Sequence, residues 1–352
     1  MEFETRSQKA AGFNVSAVQK ASGLDRLIIW LDQRPWPAWL TYTGLIVAGE
    51  ILFNLTFWID GSVSFGERVT LQSVSIPLVI LSFAFYHYLT KAGSKALQDF
   101  RPILEADEEE ITQIERALNY LPSHLGWIVL FLSATGSILY VFGSANTFGD
   151  IVPKSFLPAT VIYITSVIVV IPFYNLLFRM VRQVRILGVL YQRASNINLL
   201  HLAPAHAFAR LTASTGSGLI LLMIVGNIYN PDMRTGVNLL GLLAALLIGV
   251  VIFIVPLIGM RNRLVHEKSR RMEEISELLQ ASMDQIHSRV RNQTDVDISE
   301  ARSIMGALIE ERALIEKVST WPWNSGTIRG FASSMILPVV LWLITRFLGR
   351  YF

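Results

Sequence analysis

The chain has 352 residues, of which 52% are hydrophobic and 16% are charged. An ordinary soluble domain carries about 25% charged residues, so this composition excludes a single soluble globular domain. Cysteine is absent, which excludes disulfides, thiol catalysis and thiolate metal sites. The formal net charge is only +3 at pH 7, and the positions of the basic residues follow the sides of a membrane, so no nucleic-acid partner is expected.

Residues 1–36 are mostly polar, and no apolar core of a cleavable signal peptide opens the chain. Within this segment, residues 11–31 (AGFNVSAVQKASGLDRLIIWL) are amphipathic. The pattern predicts a cytoplasmic N-terminal segment with a helix that lies at the membrane surface.

Seven apolar stretches follow, each long enough to cross a hydrocarbon layer of about 30 Å at about 1.5 Å per residue. The first six predict a transmembrane region over residues 37–260, and the seventh predicts a closing transmembrane helix within residues 327–352. The predicted spans are residues 37–59, 69–91, 122–143, 157–181, 212–230, 236–260 and 327–350. The predicted fold class is therefore an all-α membrane protein with seven transmembrane helices.

Two connections between spans predict helices outside the membrane. Residues 105–110 (EADEEE) suit the N-terminal turn of a surface helix. Residues 261–326 predict a helical hairpin, because no clear helix stop follows residue 260 and a capping pattern at residues 297–300 opens a second helix. The apolar stripes of the hairpin are Met272, Ile275, Leu279, Met283, Ile286 and Val290 on the first helix and Ala301, Ile304, Leu308, Ile315 and Val318 on the second.

The basic residues predict the orientation of the chain in an integral cell membrane. All but five of the 30 Lys and Arg residues fall on one side if the N-terminus is cytoplasmic. The five on the other side are Arg68, Lys154, Arg234, Arg346 and Arg350. This bias predicts a cytoplasmic N-terminus, a cytoplasmic hairpin and an outer C-terminus.

Glu50 is the intramembrane charge that the sequence singles out, with Asn54 one turn away in the first span. A carboxylate at that depth costs several kcal/mol unless it is paired, protonated or faces water. Either a functional role or a structural ion pair with Arg346 explains it.

The chain shows no arrangement of residues that is typical of an enzyme. GxSxG, HExxH, a phosphate loop and paired intramembrane carboxylates are all missing from the sequence, and the histidines have no ligand spacing. No catalytic residue, metal site or cofactor is therefore expected.

The last span carries small hydroxyl and leucine side chains at steps of three and four. These are Ser334, Leu337, Leu341 and Thr345. Repeated around a symmetry axis, the stripe would line a narrow pore, with Arg346 and Arg350 at its outer mouth. An ordinary packed helix explains the same pattern equally well.

The seven spans, the cytoplasmic N-terminus, the short outer loops and the hairpin before the last span together resemble the insect odorant and gustatory receptor superfamily. The last-span signature of that family is Thr-Tyr, five apolar residues, then Gln-Phe, and it corresponds here to residues 339–347, where the apolar run and Phe347 match. The resemblance implies a ligand-gated tetrameric channel. It further implies that the hairpin packs in a cytoplasmic anchor and that the last span lines the pore.

The function predicted first is a homo-oligomeric ion channel, with a tetramer favoured and with hairpin stripes from neighbouring subunits in contact. A small-molecule ligand would bind in the outer half, near Glu50, Tyr140, Asn227 and Tyr229. The first alternative is a non-conducting scaffold or signalling protein whose hairpin binds a cytoplasmic partner through residues 270–277. The second alternative is a secondary transporter in which Glu50 carries a proton.

Overall fold

The computed structural model describes residues 23–67, 75–120, 122–143, 156–195, 197–228, 236–291 and 298–351. About 85% of the described residues are helical, and they contain no strand; an isolated bridge joins Leu104 and Ala194. The helices in chain order are α1 (Gly23–Asp32), α2 (Ala38–Asp60), α3 (Ser75–Phe100), α4 (Glu108–Asn119), α5 (Ser123–Gly143), α6 (Phe156–Gln192), α7 (Ala207–Ile228), α8 (Gly236–Arg291), α9 (Ile298–Glu316) and α10 (Ser325–Tyr351). The all-α class is confirmed.

Three helical segments of the described chain are long and apolar enough to cross a membrane: Ala38–Asp60, Ala207–Val225 and Leu246–Ser288. Shorter apolar helical segments cover Leu125–Gly136 and Ser325–Leu341. These segments are compatible with a membrane protein. Seven spans and the orientation of the chain remain predictions.

Helix α7 lies at the centre of the bundle and packs against α3, α8 and α10. Small residues allow this close packing: a Cβ on Gly216 would lie 2.8 Å from the Gly249 carbonyl oxygen and 2.9 Å from the Phe331 ring. A Cβ on Gly218 would collide with the Phe85 ring. Close helix approach in membrane proteins requires such small residues at the contact.

One end of the bundle, here named the polar end, carries α4, the C-terminal parts of α3 and α6, and the start of α7. The rings of Phe100, Tyr191 and Phe208 pack there with centroid distances of 4.9 to 6.0 Å, and all three side chains are fully buried. The Ser195 amide donates to the Ile103 carbonyl at 2.8 Å and ties the end of α6 to the turn after α3. The polar end is therefore a packed layer that extends the bundle.

Helix α8 runs for 56 residues without a break and then turns back as α9. At about 1.5 Å per residue its length is roughly 84 Å. Lys268 Nζ donates to the carbonyls of Glu316 and Val318 at 2.7 and 2.9 Å, and Arg271 pairs with Glu311 at 2.8 Å. The continuous helix that the missing stop signal predicted is present.

The apolar stripes of the hairpin divide into two halves. Ile275, Leu279 and Ile315 are buried in the main core of the chain itself. Farther out, Met283 and Ile304 are about half exposed. The expectation that both stripes are free for contacts between subunits is therefore wrong for the inner half, because that half packs within one chain.

Helix α10 is packed on one side only. Phe331 is buried against Phe253, with a centroid distance of 4.4 Å, and Leu341 packs with Ile220 and Ile224 of α7. The other side of the helix is exposed. The exposed residues on it are Gly330, Ser333, Ile336, Leu337, Val339, Val340, Leu343 and Ile344.

A buried polar network as the candidate functional site

Helix α1 contributes two carboxylates at the polar end of the bundle, the buried Asp25 and the more exposed Asp32. Asp25 and Asp32 lie two helical turns apart, so they share one face of α1 with the buried side chains of Ile28 and Leu31. Asp25 is 0% exposed and accepts a hydrogen bond from the Tyr86 hydroxyl at 2.8 Å. A charge buried this deeply is expensive, so its partners decide whether α1 can dock at all.

Arg179 of α6 provides the positive charge of the network and is 3% exposed. Its Nη1 donates to the Thr90 hydroxyl at 2.8 Å and to the Tyr86 carbonyl at 3.2 Å. Its Nη2 donates to Asn119 Oδ1 at 3.4 Å. The guanidinium carbon also lies 4.6 Å from the centroid of the Tyr86 ring, within the range of a cation–π contact.

Tyr86 therefore touches both charges of the site. Its hydroxyl binds the anion of α1, and its ring and carbonyl bind the cation of α6. The opposite charges of Asp25 and Arg179 are thereby brought together on a third helix, α3, which offsets part of the desolvation cost of both.

A second cluster forms around Asp32 at the end of α1. Its Oδ1 lies 2.8 Å from His87 Nε2 and 2.6 Å from Lys91 Nζ. The Tyr42 hydroxyl lies 3.0 Å from His87 Nδ1. A neutral His87 that donates from Nε2 to Asp32 and accepts at Nδ1 from Tyr42 satisfies all of these bonds.

The charges around Asp32 set its pKa. Partial burial alone would raise the pKa of this carboxyl, but the hydrogen bonds from Lys91 and His87 outweigh burial and hold the pKa below its ordinary value. Asp32 is therefore ionised at neutral pH and fixes the end of α1 to α3.

Helix α4 closes the network from the side. Asp107 caps it by accepting from the Glu110 amide at 2.7 Å. Asn119 at its other end is 1% exposed and donates to the Ser94 hydroxyl at 2.7 Å. Gly93 is required for this approach, because a Cβ there would collide with Asn119 Oδ1.

A small, mostly apolar pocket lies between α4 and α6, next to the network. An ion pair between Glu110 and Arg193 stands at its rim. The remaining lining residues are Gln113, Ile114, Ala117, Ile186, Val189 and Leu190. The pocket and the network share α4, so the position of α4 affects both.

The candidate ligand-binding residues that were predicted from the sequence lie outside this network. Glu50 is partly buried in α2, and its carbonyl accepts from Asn54 Nδ2 at 2.8 Å. Tyr140 and Asn227 lie in α5 and α7, but their side chains are outside the described part of the chain, as is all of Tyr229. The predicted ligand site therefore stays a prediction.

The predicted pore stripe of α10 is divided between two faces. Ser334 donates to the Ser217 hydroxyl of α7 at 2.9 Å, and Leu341 packs toward the same helix. Leu337 is exposed. The side chains of Thr345, Arg346 and Arg350 lie outside the described set, so the pairing of Glu50 with Arg346 also stays a prediction.

No protein-family model, curated protein or solved structure matches this chain. Among the residues that the structure describes, no three His, Asp or Glu side chains are grouped as a metal site would require. The buried network of α1, α3, α4 and α6 is accordingly the arrangement in the described chain with the most distinctive chemistry. It can hold two opposite charges inside an apolar bundle and fasten an N-terminal helix to it.

Proposed function

We propose that the chain is the subunit of a homo-oligomeric ion channel in a cell membrane, with a tetramer favoured and α10 at the shared axis. The one-sided packing of α10 carries the proposal. Its inner side is fixed by Phe331, Ser334 and Leu341, while a largely apolar strip on its other side is exposed in the described chain.

The end-to-end arrangement of the helices supports seven alternating spans. Tyr42 at the start of α2 meets His87 late in α3, whereas Phe53 and Phe57 near the end of α2 pack with Ile76 at the start of α3. These contacts make α2 and α3 antiparallel. The end of α6 also meets the start of α7 through Tyr191 and Phe208, as expected for a reversal of the chain between two spans, and this agrees with the distribution of Lys and Arg residues.

The contacts of α10 change which residues would line the pore. Ser334 and Leu341 point into the chain, so the axis would instead face the exposed residues that recur at steps of three and four on the other side. These are Gly330, Ser333, Leu337, Val340 and Ile344. Such a strip forms an apolar constriction that gates by excluding water, and Arg346 and Arg350 would stand beyond it at the outer mouth.

The test is current measurement on purified protein in planar bilayers, together with its mass in detergent. Leu337→Ser should increase open probability or conductance, because a polar side chain wets the constriction. Leu343→Ser is the matched control: this leucine is similarly exposed, but at 3.6 residues per turn it lies about 120° around α10 from Leu337 and outside the strip. A monomer without conductance, or equal effects of the two substitutions, would reject the proposal.

A proton-coupled secondary transporter is the second candidate, because the network places Asp25 and His87 inside the bundle and joins His87 to Asp32 at its surface. Transporters use buried ionisable groups of this kind as proton carriers. In that case a pH gradient across liposomes would drive uptake of a solute, and Asp32→Asn would abolish the uptake. Currents that persist unchanged without a proton gradient would favour the channel.

A further inference from the structure

An arginine follows directly after the uncharged stretch of α8, and it packs against stacked aromatic rings. Residues 236–260 carry no charge, and Arg261 follows directly. The Arg261 guanidinium carbon lies 4.4 Å from the centroid of the Trp321 ring, on the loop between α9 and α10. Trp321 in turn stacks on Trp323 at a centroid distance of 4.4 Å.

The stack continues toward the interior of the bundle. Trp323 lies against Phe253 at 5.4 Å, and Phe253 lies against Phe331 at 4.4 Å. Both phenylalanines are buried. The position and plane of Trp321 are therefore set by a series of rings anchored in the core, so the arginine rests on a fixed surface.

The face of the Arg261 guanidinium is covered, but its hydrogen-bond donors are not used. Its Nε is buried without a hydrogen-bond partner, and no carboxylate forms an ion pair with this arginine within the described chain. A guanidinium has five N–H donors in its plane, and a cation–π contact satisfies none of them.

The neighbouring basic residues of α8 differ from Arg261 in this respect. Arg263 donates to the carbonyls of Tyr191 and Gln192. Lys268 binds the carbonyls at the end of α9, and Arg270 pairs with Glu267 at 2.9 Å. Of these basic residues of α8, Arg261 is therefore the one that can bind an anion from outside the chain.

An exposed apolar strip leads along α8 to this arginine. Val251, Val255 and Ile258 recur at steps of four and three and are each more than 40% exposed. This arrangement matches a phospholipid. The cation beside the tryptophan rings would contact the phosphate, and the adjoining apolar strip would contact the acyl chain.

We infer that Arg261, oriented by Trp321, binds the phosphate of an anionic phospholipid whose acyl chain lies along Val251, Val255 and Ile258. A soluble anion fits less well, because it would leave the apolar strip uncovered. The site does not depend on whether the protein conducts ions.

The test is native mass spectrometry of the full-length protein, titrated in detergent with phosphatidylglycerol or phosphatidylcholine. Wild type should prefer phosphatidylglycerol. Arg261→Gln should weaken phosphatidylglycerol binding by roughly tenfold, the size expected for the loss of one charge-assisted hydrogen bond. It should weaken phosphatidylcholine binding less, because the choline cation offsets the charge of that phosphate. Arg270→Gln is the control, because Arg270 already pairs with Glu267.

A second variant keeps the arginine. Trp321→Leu removes the ring that orients the guanidinium and should weaken phosphatidylglycerol binding by about threefold, in line with an exposed cation–π contact. The inference would be overturned if Arg261→Gln and Trp321→Leu both bound phosphatidylglycerol as tightly as wild type. It would also be overturned if Arg270→Gln weakened this binding as much as Arg261→Gln does. Displacement of the lipid by millimolar glycerol phosphate would reassign the site to a free phosphate and overturn the lipid assignment.

Discussion

The hydroxyl of Tyr86 donates a 2.8 Å hydrogen bond to Asp25, a residue 61 positions earlier in the chain. This bond joins the helix that precedes the first apolar span to the interior of the bundle. Because Asp25 is fully buried, the loss of a donor to it costs more than the loss of an exposed hydrogen bond.

Tyr86→Phe should therefore lower the free energy of unfolding by about 1–3 kcal/mol, because the ring stays and one donor to a buried carboxylate is lost. Thermal unfolding in detergent measures the change. Tyr88→Phe is the control: Tyr88 is half exposed, and its hydroxyl lies 3.4 Å from the Ser214 hydroxyl. Equal decreases in the melting temperature of the two variants would show that the hydrogen bond to Asp25 stabilises the protein no more than the exposed one does.

Asp25 and Arg179 should be energetically coupled, because both contact Tyr86. Asp25→Asn and Arg179→Gln each leave one buried charge without its opposite, which typically costs 3–5 kcal/mol. The double variant should lose less than the sum of the single losses, by about 0.5–3 kcal/mol. A double-mutant cycle of unfolding free energies measures the coupling, and simple additivity would contradict it.

His206 should make stability depend on pH near neutrality. Burial lowers the pKa of this imidazole below its ordinary value of 6.5, and its Nε2 has no hydrogen-bond partner. The unfolded chain therefore binds a proton at a higher pH than the folded chain does, so stability is highest above pH 6.5 and falls as the pH drops from there toward the folded-state pKa. Melting temperatures between pH 8 and pH 5 should fall more steeply in wild type than in His206→Gln, and parallel curves would contradict this origin.

Gly216 should be intolerant of a methyl group. A Cβ there meets the Gly249 carbonyl and the Phe331 ring, so Gly216→Ala must push α7 away from α8 and α10. Overpacking of this kind costs typically 1–3 kcal/mol. Gly188→Ala is the control: nothing lies within 4 Å of its Cβ position in α6, so helix propensity should make it neutral or stabilising by up to about 1 kcal/mol. Thermal unfolding compares the two, and similar losses would contradict the tight contact.

Local signals in the sequence predicted several elements well. The acidic run at residues 105–110 indicated a helix start, and Asp107 does cap α4. The missing stop after residue 260 indicated a helix that continues, and α8 does so to Arg291. In both cases the residues that carry the sequence signal lie within a few helical turns of the feature that they predict.

The network was not predicted, because its partners are far apart in the chain. Asp32 and His87 are separated by 55 positions, and Tyr86 and Arg179 by 93. The spacing of histidines in a sequence indicates only metal sites. It therefore could not reveal that a histidine binds a tyrosine and a carboxylate from other helices. One signal was present: Asp25 and Asp32 share a helical face with Ile28 and Leu31, which indicates that this face turns toward the protein rather than toward water.

The unbroken course of α8 has a mechanical consequence. Pro256 lies within the helix and is buried, and it removes one backbone hydrogen bond, so bending is easiest there. From that point to Arg291 the helix extends for roughly 52 Å at 1.5 Å per residue. A tilt of about 5° at the proline would then displace Arg291 by about 4–5 Å. The helix is in effect a lever arm, and a small force on its distal end would exert a large torque on the apolar half.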